Sequence, residues 1–432
     1  MEKELKTFKI ISMGCKVNYY EKESLAAFLR SKGLVEVGDK DTADISIVNS
    51  CAVTEEASRK SKQVMRRLIN ESPNGISCMM GCLSQVDEKV KDIDGLNIVL
   101  GSSRKGLIYD YINEYNNTHN QIIDVSKEIF KSEYDLFTVN HFEAHTRAFL
   151  KVEDGCNKFC TYCLIPYARG NVRSKPLDVA VNEVKELVKN GHKEVVITGI
   201  HTGAYGIDLG ITLYDLLKEL DKIDGLLRIR ISSIEINQLS DDILSLAKTS
   251  NKLVHHFHIP IQAASNHVLK AMNRHYTVEE FINRVKEIRE ALPDVSITTD
   301  YIVGFPTESD EDFNESIDNL NIIKFDMIHT FPYSLRTGTK AALLPQVDPK
   351  VKKERSKKVL ELSKIGYSNL VKRYIGKELY VIFEEYKEGY IYGHTDNYIY
   401  CKAQGRYEDL NKLIKVKIIK DDGKAALSEI VE

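Results

Sequence analysis

Short apolar runs alternate with amphipathic stretches through the first 115 residues of the chain. Four runs have the length and composition of buried strands: Phe8–Met13, Ile45–Asn49, Ile76–Met80 and Asn97–Leu100. Helix-like segments lie between and after them: Glu21–Leu29, Ala57–Ile69, Gln85–Val90 and Leu107–Tyr115. Because this alternation is typical of a parallel sheet with helices on both faces, residues 1–116 are predicted to form a doubly wound α/β domain.

A polar, weakly periodic segment at residues 117–146 is predicted to be a linker, and a second alternating pattern follows it. Its strand-like runs are Arg147–Val152, Glu194–Thr198, Arg228–Ser232, His256–Ile261, Ser296–Val303 and Asp326–Phe331. Six parallel βα units suit an incomplete (β/α)6 barrel, which we predict for residues 147–345. In such folds the chemistry lies at the carboxyl ends of the strands.

The carboxyl-terminal part of the chain contains two further segments, a basic stretch with a helical pattern and a run of short strands. Residues 350–377 carry ten Lys and Arg against two Glu, a local charge of +8, and their apolar positions roughly follow one helical face. Five short alternating strands come next: Leu379–Phe383, Tyr390–His394, Tyr398–Lys402, Ile414–Ile419 and Ala425–Ile430. We predict a basic helical connector at 346–373 and a small antiparallel β-barrel of the oligonucleotide-binding kind at 374–432.

Composition narrows the class of protein. Hydrophobic residues make up 43% of the 432 residues and charged residues 28%, which is ordinary for a folded soluble chain. The amino terminus has no apolar signal core and no run reaches the ~18 apolar residues of a membrane span, so a cytoplasmic location is expected. Reduced thiols in that compartment favour metal or catalytic roles for the eight cysteines. The net charge of −3 argues against a uniformly basic nucleic-acid binder, so any RNA contact must come from local patches.

The densest chemical signal is the run GCNKFCTYCLIPYARG, which follows the first strand of the predicted barrel. Its cysteines, Cys156, Cys160 and Cys163, have the spacing C-x3-C-x2-C. Three thiolates can hold three irons of a cubane cluster and leave the fourth iron open to a small molecule. Electron-transfer clusters use four Cys and structural zinc takes four ligands, but no fourth Cys or His follows at such a spacing. The pattern therefore favours a cluster site built for chemistry; a zinc site with a distant ligand and a chance grouping of thiols are the alternatives.

Three more cysteines, Cys15, Cys51 and Cys82, follow the first three strands of the amino-terminal domain. The carboxyl ends of parallel strands lie on one edge of a sheet, so these thiols are predicted to converge there. Three unrelated loop or core cysteines are the alternative. Cys78, inside the third strand, and Cys401, near the carboxyl terminus, are predicted to be buried small hydrophobes.

Two weaker patterns, a histidine cluster and a basic stripe, can each be explained by function or by ordinary structure. His255, His256 and His258 cluster like metal ligands, but neighbouring side chains on a strand face opposite ways. A basic stripe on the second amino-terminal helix could face phosphates or could simply be solvated; it comprises Arg59, Lys60, Lys62, Arg66 and Arg67.

Ordered motifs along almost the whole chain resemble those of the radical S-adenosylmethionine (SAM) methylthiotransferases. They are Gly14-Cys15-Lys16-Val17-Asn18, Asn49-Ser50-Cys51-Ala52-Val53-Thr54, Gly81-Cys82, the GCNKFCTYCLIPYARG loop with Arg173-Ser174, RIRISSIE at 228–235, His258-Ile259-Pro260-Ile261-Gln262, Gly304-Phe305-Pro306 and Phe331-Pro332-Tyr333-Ser334 with Arg336, Gly338 and Thr339. Lys-Val-Asn after Cys15 and Ala-Val-Thr after Cys51 look most like the branch that modifies threonylcarbamoyladenosine in tRNA. The isopentenyladenosine branch usually shows Gln-Met-Asn after its first Cys, and the ribosomal-protein branch usually shows Gly after its second.

The resemblance implies an enzyme with two [4Fe–4S] clusters that uses two SAM molecules per product. Cys156, Cys160 and Cys163 would hold the cluster that binds SAM, and the amino-terminal cysteines would hold an auxiliary cluster that receives the sulfur. The implied product is threonylcarbamoyladenosine methylthiolated at carbon 2, next to the tRNA anticodon. Implied partners are tRNA and an electron donor such as flavodoxin or ferredoxin, and we expect a monomer without membrane contact.

The same resemblance suggests roles for individual residues. Tyr162, Glu235 and Gln262 are expected to contact SAM, with packing or strand-end hydrogen bonding as the alternative. The terminal barrel looks like the TRAM module that such enzymes use for RNA. Cationic side chains expected to meet tRNA are Arg169, Arg173, Lys372, Arg373 and Lys377. Two other functions stay open: the same chemistry on isopentenyladenosine tRNA or a ribosomal protein, and a non-catalytic RNA-binding iron–sulfur sensor.

Overall fold

The computed structural model describes residues 4–142 and 146–431, and its first domain is a six-stranded sheet between helices. Its elements are β1 (Thr7–Ser12), α1 (Lys16–Ser31), β2 (Val35–Glu36), β3 (Ile45–Ser50), α2 (Glu55–Glu71), β4 (Ile76–Gly81), α3 (Cys82–Val86), β5 (Ile98–Leu100), α4 (Ile108–Thr118) and β6 (Ile122–Asp124). The strands are all parallel, in the order β2-β1-β3-β4-β5-β6. Separate apolar cores lie on the two faces, one under α1 and α4 and one under α2, which confirms the doubly wound prediction. Strand β6 falls within the segment predicted to be a linker.

A second set of parallel strands forms the central domain. Its elements are β7 (Arg147–Lys151), β8 (Glu153–Asp154), α5 (Ile165–Arg169), β9 (Arg173–Ser174), α6 (Leu177–Lys189), β10 (Glu194–Thr198), α7 (Leu213–Asp221), β11 (Arg228–Ile231), α8 (Asp241–Thr249), β12 (His256–His258), α9 (Asn266–Ala271), α10 (Val278–Ala291), β13 (Ser296–Val303), α11 (Asp310–Ile323) and β14 (Met327–Pro332). Two three-stranded sheets, β11-β10-β7 and β12-β13-β14, meet where the Ile234 N–H donates to the His258 carbonyl at 3.0 Å. In the described chain β7 and β14 are edge strands that do not pair with each other, which confirms an incomplete barrel.

Helix α1 of the first domain is anchored to the central barrel. The Tyr20 hydroxyl donates to the Glu183 carboxylate of α6 at 2.7 Å, and Lys175 donates to the same hydroxyl at 2.8 Å. Tyr20 and Lys175 are both fully buried. The two domains therefore share a packed interface beside β7, the edge strand of the barrel.

The basic segment forms one long helix, α12 (Pro349–Lys372), which packs against β14. Asp348 caps its first turn by accepting from the Lys350 N–H at 2.7 Å. Arg355 is buried in an ion pair with Glu308 at 2.6 Å, so this helix is part of the barrel wall as well as a connector.

The chain ends in a closed five-stranded barrel. Its strands are β15 (Glu378–Lys387), β16 (Tyr390–Thr395), β17 (Tyr400–Gln404), β18 (Leu413–Asp421) and β19 (Ala426–Ile430). Four strand pairs are antiparallel, and β17 pairs with β19 in parallel. This barrel docks on the amino ends of the central strands: Arg228 donates to the carbonyls of Tyr380 and His394 at 2.7 and 2.9 Å. In the part of the chain that the structure describes, no helix is long and apolar enough to cross a membrane.

Candidate active site

The C-x3-C-x2-C cysteines lie on a loop at the carboxyl end of the first central strand, as predicted. The Cys156 N–H donates to the Gly170 carbonyl at 3.0 Å, and the Cys163 N–H donates to the Cys160 carbonyl at 3.0 Å. All three thiols are free and partly exposed. Burial raises the pKa of Cys156 and of Cys163 to about 12, so binding a metal here must release protons.

Polar groups without hydrogen-bond partners gather beside this loop, over the ends of the first strands. Their buried atoms are Glu153 Oε1, Thr198 Oγ1, the ring nitrogens of His201, Thr202 Oγ1 and Gln238 Oε1. Buried polar atoms are nearly always paired, so an unpaired group of this size indicates a pocket for a polar ligand. Burial raises the pKa of the Glu153 carboxyl to about 8.

Glu235, one of the predicted SAM-binding residues, is the electrostatic centre of that pocket. Its carboxylate lies 2.9 Å from Arg274 and 3.2 Å from Lys158. Arg274 reaches the cysteine loop, where its Nη1 stands 3.6 Å from Cys160 Sγ. Burial alone would raise the pKa of Glu235, but His201, Arg274 and Lys158 hold it at about 2. An ionised carboxylate and an arginine beside three thiols suit a zwitterionic cofactor such as SAM.

For the other two predicted SAM-binding residues, Tyr162 and Gln262, the structure gives ring packing and a backbone hydrogen bond. The Tyr162 ring packs edge-on against Phe305 at 6.3 Å. Gln262 has a φ of +63°. Its backbone N–H donates to the carbonyl of Asp300 on β13 at 2.9 Å. Sequence reasoning missed Glu153 and His201, although each comes shortly after a central strand, Glu153 after β7 and His201 after β10.

The amino-terminal cysteines lie at the carboxyl ends of three neighbouring strands, β1, β3 and β4. Cys51 and Cys82 are buried, and Cys15 is exposed. Gly14, with a φ of +99°, allows the close approach, because a Cβ there would stand 2.6 Å from Cys51 Sγ. Burial raises the pKa of Cys51 to about 11, and the Cys82 and Cys15 thiols push it in the same direction. The sheet therefore brings these three thiols into one neighbourhood.

A single metal ion does not suit either set. Within residues 4–142 and 146–431, no three His, Cys, Asp or Glu side chains converge tightly enough to hold one ion. The histidine alternative also fails, because His256 and His258 both bond the Thr298 hydroxyl, at 3.0 and 2.9 Å.

The two remaining cysteines are buried as predicted. Cys78 is fully buried in the first-domain core, and Cys401 is fully buried inside the terminal barrel. Both lie among apolar side chains, so they act as small hydrophobic residues.

Arg169 and Arg173 do not lie on an RNA-facing surface, which corrects the sequence-based expectation for both. The Arg169 side chain is fully buried, and its Nη1 pairs with Glu21 at 2.8 Å and with Asp154 at 3.0 Å. Arg173 is also buried, 3.3 Å from Asp154, and donates to the Arg169 carbonyl. Carboxylates from two domains draw these guanidinium groups inward, which a sequence pattern cannot indicate.

The other cations expected to meet RNA have mixed surroundings. Lys372 and Lys377 are exposed, and Lys377 lies 4.9 Å from the Tyr374 ring centroid. Arg373 forms an ion pair with Asp326, which fastens α12 to the barrel. On the amino-terminal stripe, Arg59 pairs with Glu56 at 2.8 Å.

A cleft of about 550 Å³ lies between α2 and α3 of the first domain and the segment around Arg336. Its walls include Leu83, next to Cys82, and Leu164, next to Cys163. Arg336 closes one side and donates to the Ser58 hydroxyl at 3.0 Å, and its buried Nε has no partner.

Comparison with known proteins places this arrangement in a family. A model of the radical SAM superfamily matches residues 150–320, and a model of the uncharacterized protein family UPF0004 matches residues 7–101. A threonylcarbamoyladenosine tRNA methylthiotransferase, MtaB, of Bacillus subtilis is 40% identical over 95% of this chain and 93% of its own length. The MtaB protein of Aquifex aeolicus is 39% identical over 94% of this chain and 98% of its own.

A more distant relative, the tRNA-2-methylthio-N(6)-dimethylallyladenosine synthase of Clostridium tetani, is 34% identical over 96% of this chain and 94% of its own. Among solved structures, the radical SAM methyltransferase TsrM of Kitasatospora setae aligns with a TM-score of 0.59 at 13% identity, over 78% of this chain and 74% of TsrM. That likeness shows the fold alone. The chain belongs to the radical SAM methylthiotransferases, a family of SAM-dependent transferases.

Proposed function

We propose that this protein methylthiolates carbon 2 of threonylcarbamoyladenosine next to the anticodon of tRNA. The observation that carries the proposal is that the two three-thiol sets adjoin across the domain interface. Arg169, which ends the helix after the C-x3-C-x2-C loop, donates to Cys82 Sγ at 3.2 Å, and the Cys82 thiol is among the groups that raise the pKa of Cys163. The named relatives support the choice of substrate. Those named for threonylcarbamoyladenosine are 37–40% identical to this chain, whereas the quoted dimethylallyladenosine enzyme is 34% identical.

In this proposal Cys156, Cys160 and Cys163 hold the SAM-binding [4Fe–4S] cluster. When bound, this cluster and SAM supply a 5′-deoxyadenosyl radical that removes hydrogen from carbon 2, and a second SAM supplies the methyl group. The chain itself binds and orients SAM. Glu235 is fixed by Arg274 and Lys158 and offers its carboxylate to the SAM amino group, while Gln238 supplies a buried oxygen that lacks a protein partner.

Cys15, Cys51 and Cys82 hold the auxiliary [4Fe–4S] cluster, which supplies the sulfur. The guanidinium group of Arg169 supports an anionic group at Cys82, because its Nε donates to Cys82 Sγ at 3.2 Å. Thiolate-bound clusters carry negative charge, so this donor suits one. An external donor such as flavodoxin or ferredoxin provides the electron, and the protein acts as a cytoplasmic monomer.

Lys16 supports threonylcarbamoyladenosine over a neutral substrate. The threonyl group carries a free carboxylate, whereas an isopentenyl group has no charge. Lys16 follows Cys15, and its neighbours include Arg147 on β7 and His329 on β14, the two edge strands. Lys16 therefore lies at the opening of the barrel. Burial lowers the pKa of Lys16 to about 8, with Arg147 acting in the same direction and Asp300 opposing it, so the carboxylate of a bound substrate would stabilise its charged form.

RNA binding is proposed for the carboxyl-terminal barrel and the exposed end of α12. On one sheet of the barrel the rings of Tyr392 and Tyr400 stack at 5.9 Å, and Lys402 lies 4.1 Å from the Tyr390 ring centroid. Aromatic rings beside lysines are the usual platform for stacking bases and neutralising phosphates. The TRAM-like role expected for this barrel agrees with that chemistry.

Two anticodon stem-loop RNAs that differ only in the modified adenosine test the proposal. The anaerobically reconstituted protein is supplied with SAM and reductant, and nucleosides are measured by mass spectrometry. We expect a methylthio product only from the threonylcarbamoyl RNA. Product from the isopentenyl RNA alone would select that substrate instead, and product on a ribosomal protein would replace both. Absence of 5′-deoxyadenosine under all conditions would favour the non-catalytic sensor.

A further inference from the structure

We propose that Arg169 is a positioning residue that sets the reduction potential of the amino-terminal cluster through Cys82 and holds the two cysteine sets in register. The inference rests on the proposed function, in which Cys82 is a cluster ligand. Arg169 belongs to the central domain and Cys82 to the first domain, so the contact crosses between them.

The guanidinium group of Arg169 is completely engaged. Its Nε donates to Cys82 Sγ at 3.2 Å, and its Nη2 donates to the Asn18 side-chain oxygen at 2.6 Å. The Nη1 atom bonds Glu21 and Asp154, at 2.8 and 3.0 Å. Because the side chain is fully buried, water cannot replace any of these partners. The Nε–H is therefore directed at the Cys82 sulfur from a fixed position.

The backbone around Arg169 shapes the other cysteine set. Arg169 is the last residue of α5, which begins directly after the C-x3-C-x2-C loop, and the next carbonyl, that of Gly170, accepts from the Cys156 N–H at 3.0 Å. The Ser102 hydroxyl of the first domain donates to the Ala168 carbonyl. A displacement of this turn would move both sets, so one residue connects their geometry.

The positive charge of Arg169 adds to the effect of the hydrogen bond. Buried ion pairs with Glu21 and Asp154 hold this cation in place, and Lys105, Lys151 and Arg173 share those two carboxylates. Hydrogen bonds to cluster sulfurs and the local net charge both set cluster potentials. A cationic hydrogen-bond donor stabilises the more negative, reduced state. Arg169 therefore raises the reduction potential of the amino-terminal cluster.

The test isolates one cluster in the full-length chain. A background with Cys156, Cys160 and Cys163 replaced by Ala leaves the amino-terminal set as the cluster site. Arg169→Gln, Arg169→Lys and Lys9→Gln are introduced into it, and iron content and potential are measured by anaerobic redox titration followed by electron paramagnetic resonance. Lys9 is the matched control, because it is a buried cation of the same sheet that pairs with Glu71 at 3.2 Å, on a strand segment well before Cys15.

We expect Arg169→Gln to shift the potential to a more negative value, Arg169→Lys to shift it less in the same direction, and Lys9→Gln to leave it unchanged. An unchanged potential in Arg169→Gln with full iron would overturn the inference. If that variant does not retain iron, Arg169→Lys decides, and a potential equal to that of the background would overturn the inference. A background protein that binds no iron would instead refute the proposed function, so the two failures are distinguishable.

Discussion

The two cysteine sets differ in how the chain assembles them. Cys156, Cys160 and Cys163 lie on one loop. Nearby backbone bonds shape it, and two longer-range bonds fasten it at Thr161, whose N–H donates to the Met272 carbonyl and whose carbonyl accepts from the Ala341 N–H. Cys15, Cys51 and Cys82 come from three strand ends and meet only when the parallel sheet has formed. The first set is a local motif and the second is a product of topology. The two sites should therefore respond differently to mutation.

The largest expected effect comes from removing the local set. Replacing Cys156, Cys160 and Cys163 by Ala should abolish 5′-deoxyadenosine formation and remove about half of the roughly eight irons of two four-iron clusters. Iron analysis and an anaerobic SAM-cleavage assay measure both. Cys78→Ala and Cys401→Ala are controls that should keep all the iron, because both residues lie in apolar cores. Loss of a whole cluster in the Cys78 variant would show that the ligands are wrongly assigned.

A smaller effect is expected at Lys16, beside the topological set. Lys16→Gln removes the proposed partner of the substrate carboxylate, and a charged hydrogen bond contributes about 1.5–3 kcal/mol. The kcat/KM for threonylcarbamoyl RNA should therefore fall about 10- to 100-fold, since 1.4 kcal/mol is a factor of ten. SAM cleavage without RNA should not change.

Lys22→Gln is the matched control for Lys16, because Lys22 lies on the same helix and pairs with Glu23 at 3.5 Å. We expect it to behave like the parent protein. Equal kcat/KM values for Lys16→Gln and the parent would remove Lys16 from substrate recognition and leave the rest of the proposal in place.

The smallest expected effect lies far from both sets, at the exposed end of α12. Replacing Lys372 and Lys377 by Gln should weaken tRNA binding and flatten its salt dependence, by roughly 0.7–0.9 in log–log slope per lost phosphate contact. Arg373 is left intact because its ion pair with Asp326 holds the helix. Lys286→Gln, a change at an exposed lysine on α10, is the control. Superimposable binding curves at several salt concentrations would place RNA recognition elsewhere, beginning with the stripe on α2.

The contrast between the sets also explains what the sequence could predict. Spacing alone located Cys156, Cys160 and Cys163, because a loop motif is local. Placing Cys15, Cys51 and Cys82 together required the strand pattern and the rule that parallel strands share one carboxyl edge.

Ion pairs between residues far apart in the chain could not be predicted from the sequence. The sequence suggests Arg169 as a tRNA contact, but the side chain is fully buried. Its burial depends on Glu21, which lies 148 positions away in the chain. Strand β6 was missed because its three residues carry too short a pattern to distinguish from a linker.

The central claim is that the two sets have separate roles, and one measurement tests it most directly. Cys15, Cys51 and Cys82 are replaced by Ala together, and the reconstituted protein is assayed anaerobically for 5′-deoxyadenosine and for the methylthio nucleoside in the same reaction. We predict that SAM cleavage persists, that about half of the iron remains, and that no methylthio product forms. Methylthio product at the rate of the parent protein would contradict the account.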